Sequence, residues 1–511
     1  MSIVTIPSAG QIGVIKDAQS QELPINAWTD ASNIRFLEGT ASRIEGDLQV
    51  FSAPAVTPYF VAPFATTSTR FIVHAGLSAV YVDDGTTRTD ITGTAPTGAV
   101  DDRWTGGTLN GVLVLNNGVD KPMYWGGDTA ANLATLTAWD STWKCAALRP
   151  FKNYLVALDV TKGSSRYPHM VNWSAAADPG TVPASWDAAD PANDAGEVDL
   201  AETSDLMVDC LPLGGANIIY KERSMYSMSY IGGQYIFQFN RLPGDVGALS
   251  RGCVASTPVG HVVLTPGDVV VHNGQGPQSI ITGKMRRWLF SAMNTTYYKR
   301  CFLAVNLPKN EVWICFPEAG QTACTKALIW NWIDTTFSVR DLANATYATL
   351  GQAAITTTET WDSDSNVWDA DATTWTQADT PPSETRMYIC TTGPKILQAD
   401  SGTSFAGTTY TSSLEKTGLA LDDTSSVKTV RSIYPRIDGT TGATMYIQVG
   451  GAMDVEGPYT WSDAVTYTIG TTYKADTFAS GRFIGVRIYS TASISWRVKS
   501  FDIDYVKRGR Y

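Results

Sequence analysis

The chain has 511 residues, more than one ordinary hydrophobic core holds, so we expect two or three domains unless a repeat architecture extends one of them. A formal net charge of −11 and a pI near 4.9 argue against charge-driven binding to DNA or to anionic membranes. The content of 44 glycines, 24 prolines, 22 tyrosines and 16 tryptophans, with 17% charged residues, favours short β-strands joined by turns.

The cysteines and the apolar pattern limit the cellular setting. Seven cysteines are scattered along the chain without a CxxC pair, which is typical of reduced, mostly buried thiols in a cytosolic protein. The sequence has neither a signal-peptide pattern at Met1 nor an apolar run of about 18 residues. We therefore expect no membrane span and no export by signal peptide.

We expect residues 1–55 to form an extended N-terminal arm with the first strands. Within them, the segment Ile25–Gly46 alternates apolar and polar residues well enough to predict one strand, with its turn at Glu38-Gly39. Trp28 is the expected anchor of this segment and a candidate interface residue. Two interpretations stay open: an extended arm that packs against another part of an assembly, or a first strand that completes a later sheet.

A β-meander is clearest between Gly214 and Asn240. Met225–Tyr230 and Tyr235–Asn240 carry large residues at every second position, as half-buried strands require. Gly232-Gly233 between them predicts a tight hairpin turn, because glycine accepts positive φ angles. Ile218–Tyr220 supplies a further apolar strand.

Similar units of strand, turn, strand, turn and strand recur about every 40 residues, which is the spacing of propeller blades. Turn signals such as Asp84-Gly85, Asn117-Gly118 and Asn273-Gly274 separate their strands. The sequence thus predicts an all-β protein with a β-propeller of six or seven blades over residues 56–406. Two β-sandwiches built from the same meanders are the alternative.

Residues 356–376 interrupt the repeats with a tryptophan- and aspartate-rich loop. Trp361, Trp368 and Trp375 recur every seven residues in a stretch too polar for a core, so we expect exposed interface or tip residues. The aspartates between residues 362 and 371 have nearly the alternate spacing of a calcium loop, but the mid-loop glycine and the terminal glutamate are missing. A solvated turn is favoured, and no metal site is predicted.

Beyond residue 406 the strands become longer and more regular. Alternating runs around Val430–Ile437, Met445–Val449, Phe483–Ile488 and Ile494–Ile503 predict a C-terminal β-sandwich or platform domain over residues 407–511.

The sequence offers little for catalysis. The four histidines, His74, His169, His261 and His272, form no zinc-binding spacing, and His272 is expected to be a satisfied residue at a strand end. Nucleophile elbows, phosphate-binding loops and dinucleotide fingerprints are missing from the sequence. Carboxylates are plentiful, but repeated sialidase-type boxes are lacking. We expect no enzymatic activity and no cofactor.

Three stretches together resemble the tail hub, or nozzle, proteins of short-tailed bacteriophages, the group that includes the packaged-DNA stabilisation proteins. Ala27–Gly46 is similar to that family's W-x-D-x-x-N-[IV]-R-F…G…R…G opening, although Ile44-Glu45-Gly46 stands where the family more often has a proline before the glycine. Ile218–Gly274 is similar to the central blades, and Ser413–Gly442 to the beginning of the last domain. These stretches cover about a fifth of the chain.

The resemblance implies a structural virion protein, assembled in the bacterial cytoplasm, of which six copies form a ring below the portal and adaptor. The ring would contact tail fibre or tip proteins and conduct double-stranded DNA through its lumen without sequence-specific binding. An acidic chain suits a channel for a polyanion. The alternative function is a carbohydrate-binding or glycan-cleaving tail propeller that recognises the host surface through Trp361, Trp368 and Trp375.

Overall fold

The computed structural model describes residues 2–233, 235–353, 384–421 and 423–510, and strands dominate it. Five strands precede the first repeat. They are β1 (Ser2–Ile6), β2 (Asp30–Ser32), β3 (Ile34–Leu37), β4 (Thr40–Arg43) and β5 (Asp47–Gln49), with a 3₁₀ turn at Ser20–Glu22.

Blades 1 to 5 are four-stranded antiparallel meanders, each following the last along the chain. Blade 1 contains β6 (Phe60–Ala65), β7 (Arg70–Ala75), β8 (Val80–Asp83) and β9 (Arg88–Asp90), and blade 2 contains β10 (Thr105–Leu109), β11 (Val112–Asn116), β12 (Met123–Trp125) and β13 (Ala134–Thr135). Blade 3 contains β14 (Trp143–Phe151), β15 (Tyr154–Lys162), β16 (Ser165–Trp173) and β17 (Gly196–Asp199). Blade 4 contains β18 (Met207–Leu213), β19 (Ala216–Lys221), β20 (Met225–Tyr230) and β21 (Phe237–Arg241), and blade 5 contains β22 (Val254–Thr257), β23 (Gly260–Leu264), β24 (Val269–His272) and β25 (Gln278–Ser279).

Helix α1 (Arg286–Ala292) and 3₁₀ turns at Thr295–Arg300 and Leu307–Lys309 lie around the start of blade 6. The next strands are β26 (Phe302–Asn306), β27 (Glu311–Phe316), β28 (Cys324–Asn331), β29 (Phe337–Gly351), β30 (Arg386–Thr391) and β31 (Lys395–Ala399). Residues 337–341 of β29 pair with β28 as the outer strand of blade 6, and residues 345–351 pair with β30 as the inner strand of blade 7. Asn344, at φ 55°, lies between the two halves, in a conformation that asparagine tolerates.

Blade 7 is completed from the other end of the chain. Its outermost strand is β5, which pairs with β31 through Leu397↔Gln49, Gln398↔Leu48 and Ala399↔Asp47. The innermost strands of the seven blades are β6, β10, β14, β18, β22, β26 and the second half of β29, and nearly all neighbours among them pack directly. Phe64 of blade 1 contacts Trp125 of blade 2, with ring centroids 5.4 Å apart. The chain therefore forms a closed seven-bladed propeller.

A two-sheet sandwich follows the propeller. Its C-terminal strands are β32 (Ser412–Leu419), β33 (Ser426–Gly439), β34 (Thr444–Ala452), β35 (Thr460–Trp461), β36 (Val465–Thr468), β37 (Ala475–Gly481), β38 (Phe483–Ser490) and β39 (Trp496–Arg510). One sheet has the order β3-β4-β39-β33-β37, with β1 also pairing with β39, and the other has the order β2-β32-β38-β34-β35, with β36 also pairing with β34.

The N-terminal segment thus belongs to both domains. Strands β1 to β4 lie in the two sheets of the sandwich, whereas β5 lies in blade 7. This arrangement corresponds to a first strand that completes a later sheet, and residues 1–49 do not extend away as an arm. The physical reason is that Ile6, Trp28, Ile34 and Phe36 are all buried in one core, which continues from the sandwich into blades 5 and 6.

Candidate functional site

The residues of the N-terminal motif, Ala27–Gly46, lie at the junction between the two domains. Trp28 is 2% exposed, its indole N–H donates to the Ala9 carbonyl at 2.5 Å, and its ring lies 5.9 Å from Phe501. Sequence analysis placed Trp28 among the candidate interface residues, and this burial removes it from the surface. Asn33, at φ 57°, donates to the Asp341 carboxylate at 2.7 Å and accepts from the Asp341 N–H at 2.8 Å.

Arg35 is the charged centre of this junction. Its Nε and Nη2 donate to Glu311 of blade 6 at 2.6 and 3.0 Å, and Nη2 also donates to Asp400, after blade 7, at 2.9 and 3.1 Å. All three side chains are at most 8% exposed. Burial alone would lower the pKa of Arg35, but the two carboxylates outweigh it and raise that pKa. One sandwich residue therefore joins two blades.

The last part of the motif continues the same junction. The Arg43 guanidinium donates to the Thr403 carbonyl at 2.7 Å and lies 4.1 Å from the centre of the Tyr410 ring. A Cβ on Gly46 would lie 2.4 Å from the Ser404 carbonyl oxygen, so only glycine fits. Glu45 is exposed, and its N–H donates to no other described residue. A proline at this position would therefore cost the turn no hydrogen bond.

A second buried ion pair supports the closure of blade 7. Arg340 donates to Asp47 of β5 at 2.5 Å, and its guanidinium lies 4.3 Å from the Trp313 ring centre and 4.5 Å from that of Phe405. Burial raises the pKa of Asp47 to about 6, although Arg340 opposes this shift. The closing strand is thus held by a charged contact as well as by its backbone pairing.

A set of polar side chains crosses the propeller axis. Arg149 of β14 donates from Nε and Nη2 to Asp209 of β18 at 2.9 and 2.8 Å, and from Nη1 to the Gly106 carbonyl of β10 at 3.1 Å. Asp209 also accepts from the Gly252 N–H, just before β22, at 3.2 Å. Burial would raise the pKa of Asp209, but Arg149 and the N–H groups lower it, so the carboxylate is charged. These contacts link blades 2, 3, 4 and 5.

Tyr347 fills the other side of the axis. It belongs to the inner strand of blade 7, and its ring centre lies 4.9 Å from that of Phe60 in blade 1 and 5.8 Å from that of Phe302 in blade 6. A Cβ on Gly252 would lie 3.9 Å from Tyr347 Cε2, so the tyrosine reaches blade 5 as well. We call Arg149, Asp209, Gly252 and Tyr347 the axial cluster. It closes the centre of the propeller to anything as wide as a nucleic acid.

An open cleft lies on the face from which most of the inner strands begin. This mouth cleft has a volume of about 260 Å³ and is lined by Arg103, Arg300 and the hydroxyl-bearing residues Tyr59, Thr322 and Thr392, among others. Arg103 precedes β10, and Arg300 precedes β26. The cleft therefore places two guanidinium groups at the edge of the axial cluster.

Two histidines and a tyrosine form a buried chain of hydrogen bonds between blades 4 and 5. His261 Nε2 donates to the Pro212 carbonyl at 2.9 Å, so its Nδ1 accepts from the Tyr220 hydroxyl at 2.7 Å. Tyr220 in turn accepts from His272 Nε2 at 2.7 Å, and His272 Nδ1 accepts from the Gly274 N–H at 3.3 Å. Every ring nitrogen has a partner when both imidazoles are neutral, which confirms the expectation of a satisfied His272.

The other residues named from the sequence are placed as follows. Trp361, Trp368 and Trp375, and the aspartates between residues 362 and 371, lie outside the described residues. All seven cysteines are buried free thiols, and burial raises the pKa of each. Within the described ranges, no cluster of three or more His, Cys, Asp or Glu side chains could hold a metal ion. No helix in the same ranges is long and apolar enough to cross a membrane.

Sequence reasoning missed the axial cluster. One signal was present, since Asp209 lies inside the apolar strand MVDCLPL and Arg149 inside AALRPF, and a charge within an apolar strand needs a buried partner. The partner of each residue, however, depends on the order of the blades around the axis.

Together, the fold and these sites define a seven-bladed β-propeller joined to a β-sandwich through a shared buried core. The solved structures that match the chain include other propellers. The WD40 β-propeller domain of Doa1 is 8% identical, with 69% of this chain and 96% of that chain covered and a TM-score of 0.35. BBS1N in complex with ARL6DN is 8% identical, with 71% and 99% covered and a TM-score of 0.39. No protein-family model and no curated protein matches the chain.

Proposed function

We propose that the chain is a structural subunit of the tail nozzle, or tail hub, of a short-tailed bacteriophage. In this proposal, six identical copies, the number in the family that the chain resembles, form a ring below the portal-adaptor ring. The ring retains packaged double-stranded DNA and conducts it during ejection, and it contacts tail fibre or tip proteins. The subunit has no catalytic role, and it acts in the virion tail after assembly in the bacterial cytoplasm.

The observation that carries the proposal is the domain junction. The motif that resembles the nozzle family is the segment whose residues join the two domains, with Trp28 in the sandwich core, Arg35 between two blades and Gly46 in the turn before β5. Burial and exact fit limit what can replace these residues, so their spacing reflects this propeller-and-sandwich architecture. A rigid two-domain unit suits a part that must bear the force of a packaged genome.

The closed axis determines where DNA could pass in such a ring. Because the axial cluster blocks the centre of each propeller, the conduit in this proposal lies between the copies and not through them. A net charge of −11 per copy favours a lumen that does not retain phosphates by attraction.

The sandwich offers two matching edges for contacts between copies. Strand β1 pairs with β39 alone and β37 with β33 alone, so each has an edge free of strand partners in the described part of the chain. Across the sheet, Ile3 pairs with Asp504, Asp504 with Ser432, and Ser432 with Asp476. Side chains in one such row lie on the same face of the sheet. Phe478, two residues beyond Asp476, therefore lies on the same face as Ile3. Ile3 is 63% exposed and Phe478 is 68% exposed.

These edges lie at opposite ends of one sheet, so pairing β1 of one copy with β37 of the next is a head-to-tail contact. Contacts of this kind generate a closed ring when the rotation between copies closes. The pairing adds backbone hydrogen bonds, and Ile3 and Phe478 would cover each other. We therefore assign the ring contact to these two strands.

The test is electron microscopy and mass photometry of the purified full chain. We expect six-fold rings from the unaltered protein, and mainly monomers from the variants Ile3→Asp and Phe478→Asp. Tyr235→Asp, which changes a 72% exposed residue of blade 4, is the matched control and should leave the rings intact. A three-fold spike, or a monomer that turns over oligosaccharide, would refute the nozzle function. Rings that survive both edge variants would refute only the assigned contact.

A further inference from the structure

We propose that the mouth cleft of the propeller binds a small phosphate-bearing ligand, inorganic phosphate or a small phosphate monoester. The nozzle function requires no such ligand, so this inference goes beyond it. The proposal rests on the arginines of the cleft, on the hydroxyl groups beside them and on the size of the opening.

Arg103 is a buried cation that lacks an anionic partner. It is 6% exposed and donates one hydrogen bond, from Nη2 to the Thr346 carbonyl at 3.1 Å. No carboxylate in the described ranges lies within 4.0 Å of its nitrogens, in contrast to Arg35, Arg149 and Arg340. A guanidinium buried without a counter-charge is unfavourable, because it has lost its hydration and gained no ion pair. Arg103 lines the cleft, where a bound anion would offset this cost.

The surrounding charges increase the positive potential. Arg251 lies beside Arg103 and donates to its carbonyl oxygen at 3.3 Å, and burial lowers the pKa of Arg251. The buried carboxylate of Asp209 is already held by both Nε and Nη2 of Arg149. Arg103 is buried and Arg251 is half-buried, and among the described residues neither guanidinium has a carboxylate within 4.0 Å.

Arg300 brings a third guanidinium to the rim. Its Nε donates to Asp101 at 2.7 Å and its Nη1 donates to the Thr322 carbonyl at 2.8 Å. These two hydrogen bonds fix the side chain, and Nη2 can donate to a ligand. The hydroxyls of Tyr59, Thr322 and Thr392 line the same cleft and form no hydrogen bond to another described residue. Guanidinium groups and hydroxyls arriving from several sides suit a tetrahedral phosphate better than a planar carboxylate.

The size of the cleft limits the ligand. A volume of about 260 Å³ accommodates phosphate or a small monoester, and it lies just below the range of about 300–1,000 Å³ that is usual for drug-sized ligands. A polymer could place no more than an end there. We therefore expect free phosphate and small phosphate monoesters to bind, and duplex DNA to be excluded.

The experiment measures thermal unfolding and ³¹P line broadening of the full chain with sodium phosphate, glycerol 2-phosphate or disodium succinate, against sodium chloride at equal ionic strength. A ligand that binds the folded state raises the Tm with its concentration. We expect phosphate and glycerol phosphate to raise the Tm and chloride to leave it unchanged. The variants Arg103→Met and Arg300→Met should bind phosphate more weakly, so that the half-saturating concentration rises at least tenfold.

Arg241→Met is the matched control, because Arg241 is a 41% exposed arginine with one ion pair on blade 4, and this variant should bind like the unaltered protein. If Arg103→Met does not fold, Arg300→Met and Thr322→Val, both at the rim, test the same cleft. An equal response to phosphate in all variants would overturn the proposed site. An equal response to succinate would overturn the phosphate class, and competition by an unphosphorylated oligonucleotide would overturn the small-ligand assignment.

Discussion

Replacing Arg35 by methionine tests whether the domain junction is held by charge. The substitution keeps most of the side-chain volume but removes the hydrogen bonds to Glu311 and Asp400. Among the described residues, Glu311 then keeps the Trp313 indole N–H as its side-chain donor, at 3.1 Å, and Asp400 keeps the Asn306 amide, at 2.7 Å. Breaking a buried ion pair in this way costs about 3–5 kcal/mol. We expect the first unfolding transition of Arg35→Met to lose that much stability at pH 7.

The pH dependence provides a second measure. A buried carboxylate that has lost its counter-charge can avoid the cost by taking up a proton. For a free glutamate side chain, protonation requires about 4 kcal/mol at pH 7 and about 1 kcal/mol at pH 5. In the variant, the folded state would bind a proton that the unfolded state has released, so its stability relative to the unaltered protein rises as the pH falls from 7 to 5. Urea unfolding followed by far-UV circular dichroism at both pH values measures this difference.

The control is Arg436→Met, whose side chain is 57% exposed and pairs with Asp502 at 2.9 Å. Exposed ion pairs are worth about 0–1 kcal/mol, so this variant should be nearly as stable as the unaltered protein. The double variant Arg35→Met with Glu311→Gln should recover part of the loss, because one of the two orphaned charges is then absent. A cost below about 1 kcal/mol for Arg35→Met, or a cost equal at pH 7 and pH 5, would refute a charge-held junction.

Four further predictions concern other parts of the molecule. Tyr220→Phe should cost about 2–5 kcal/mol in urea unfolding, because it leaves a buried nitrogen of His261 and another of His272 unpaired. Burial lowers the pKa of His272 to about 4. Because the unfolded state then binds the proton more tightly, the folded state loses stability as the pH falls from about 6.5 towards 4, by about 2 kcal/mol at pH 5. A Tm that stays constant from pH 7 to pH 5 would contradict this prediction. Gly46→Ala should lower the Tm by several degrees, whereas Gly276→Ala, with open space around its Cβ, should not. Mass spectrometry after iodoacetamide treatment should detect seven modified cysteines only after unfolding, and rapid labelling of the native protein would contradict their burial.

Local patterns made most of the blades predictable. The antiparallel pairing of β20 and β21 is present as predicted, because alternation and turn chemistry are encoded within some 15 residues. Gly232 and Gly233 have positive φ angles of 71° and 77°, but the pairing ends at Tyr230↔Phe237, so the connection is longer than the predicted tight turn. The innermost strand of blade 2, TGGTL, was not predicted, since two glycines at its centre carry no alternating pattern. The outer strands β13 and β25 have two residues each, too few for any periodicity.

The contacts that join the domains could not be predicted in the same way. Arg35 and Asp400 are 365 positions apart, and Tyr410 and Ile44 are 366 apart, so no local window contains both members of either pair. Either interpretation of the N-terminal segment fitted its alternation, because a strand pattern does not specify its partner. The assignment of strands to the sandwich and to blade 7 follows only from the folded chain.

The shared N-terminal segment has a consequence for biosynthesis. Strands β1 to β5 leave the ribosome first, but β5 pairs with β31, at Lys395–Ala399, and β1 pairs with β39, at Trp496–Arg510. Strands β3 and β4 can pair with each other at once, but β1, β2 and β5 have no partner until β39, β32 and β31 have been translated. Such long-range pairing slows folding and leaves aggregation-prone, unpaired strands exposed to neighbouring nascent chains. We therefore expect neither the propeller nor the sandwich to reach its native fold when it is expressed alone. A host chaperone that shields the early strands would increase the yield of the full chain.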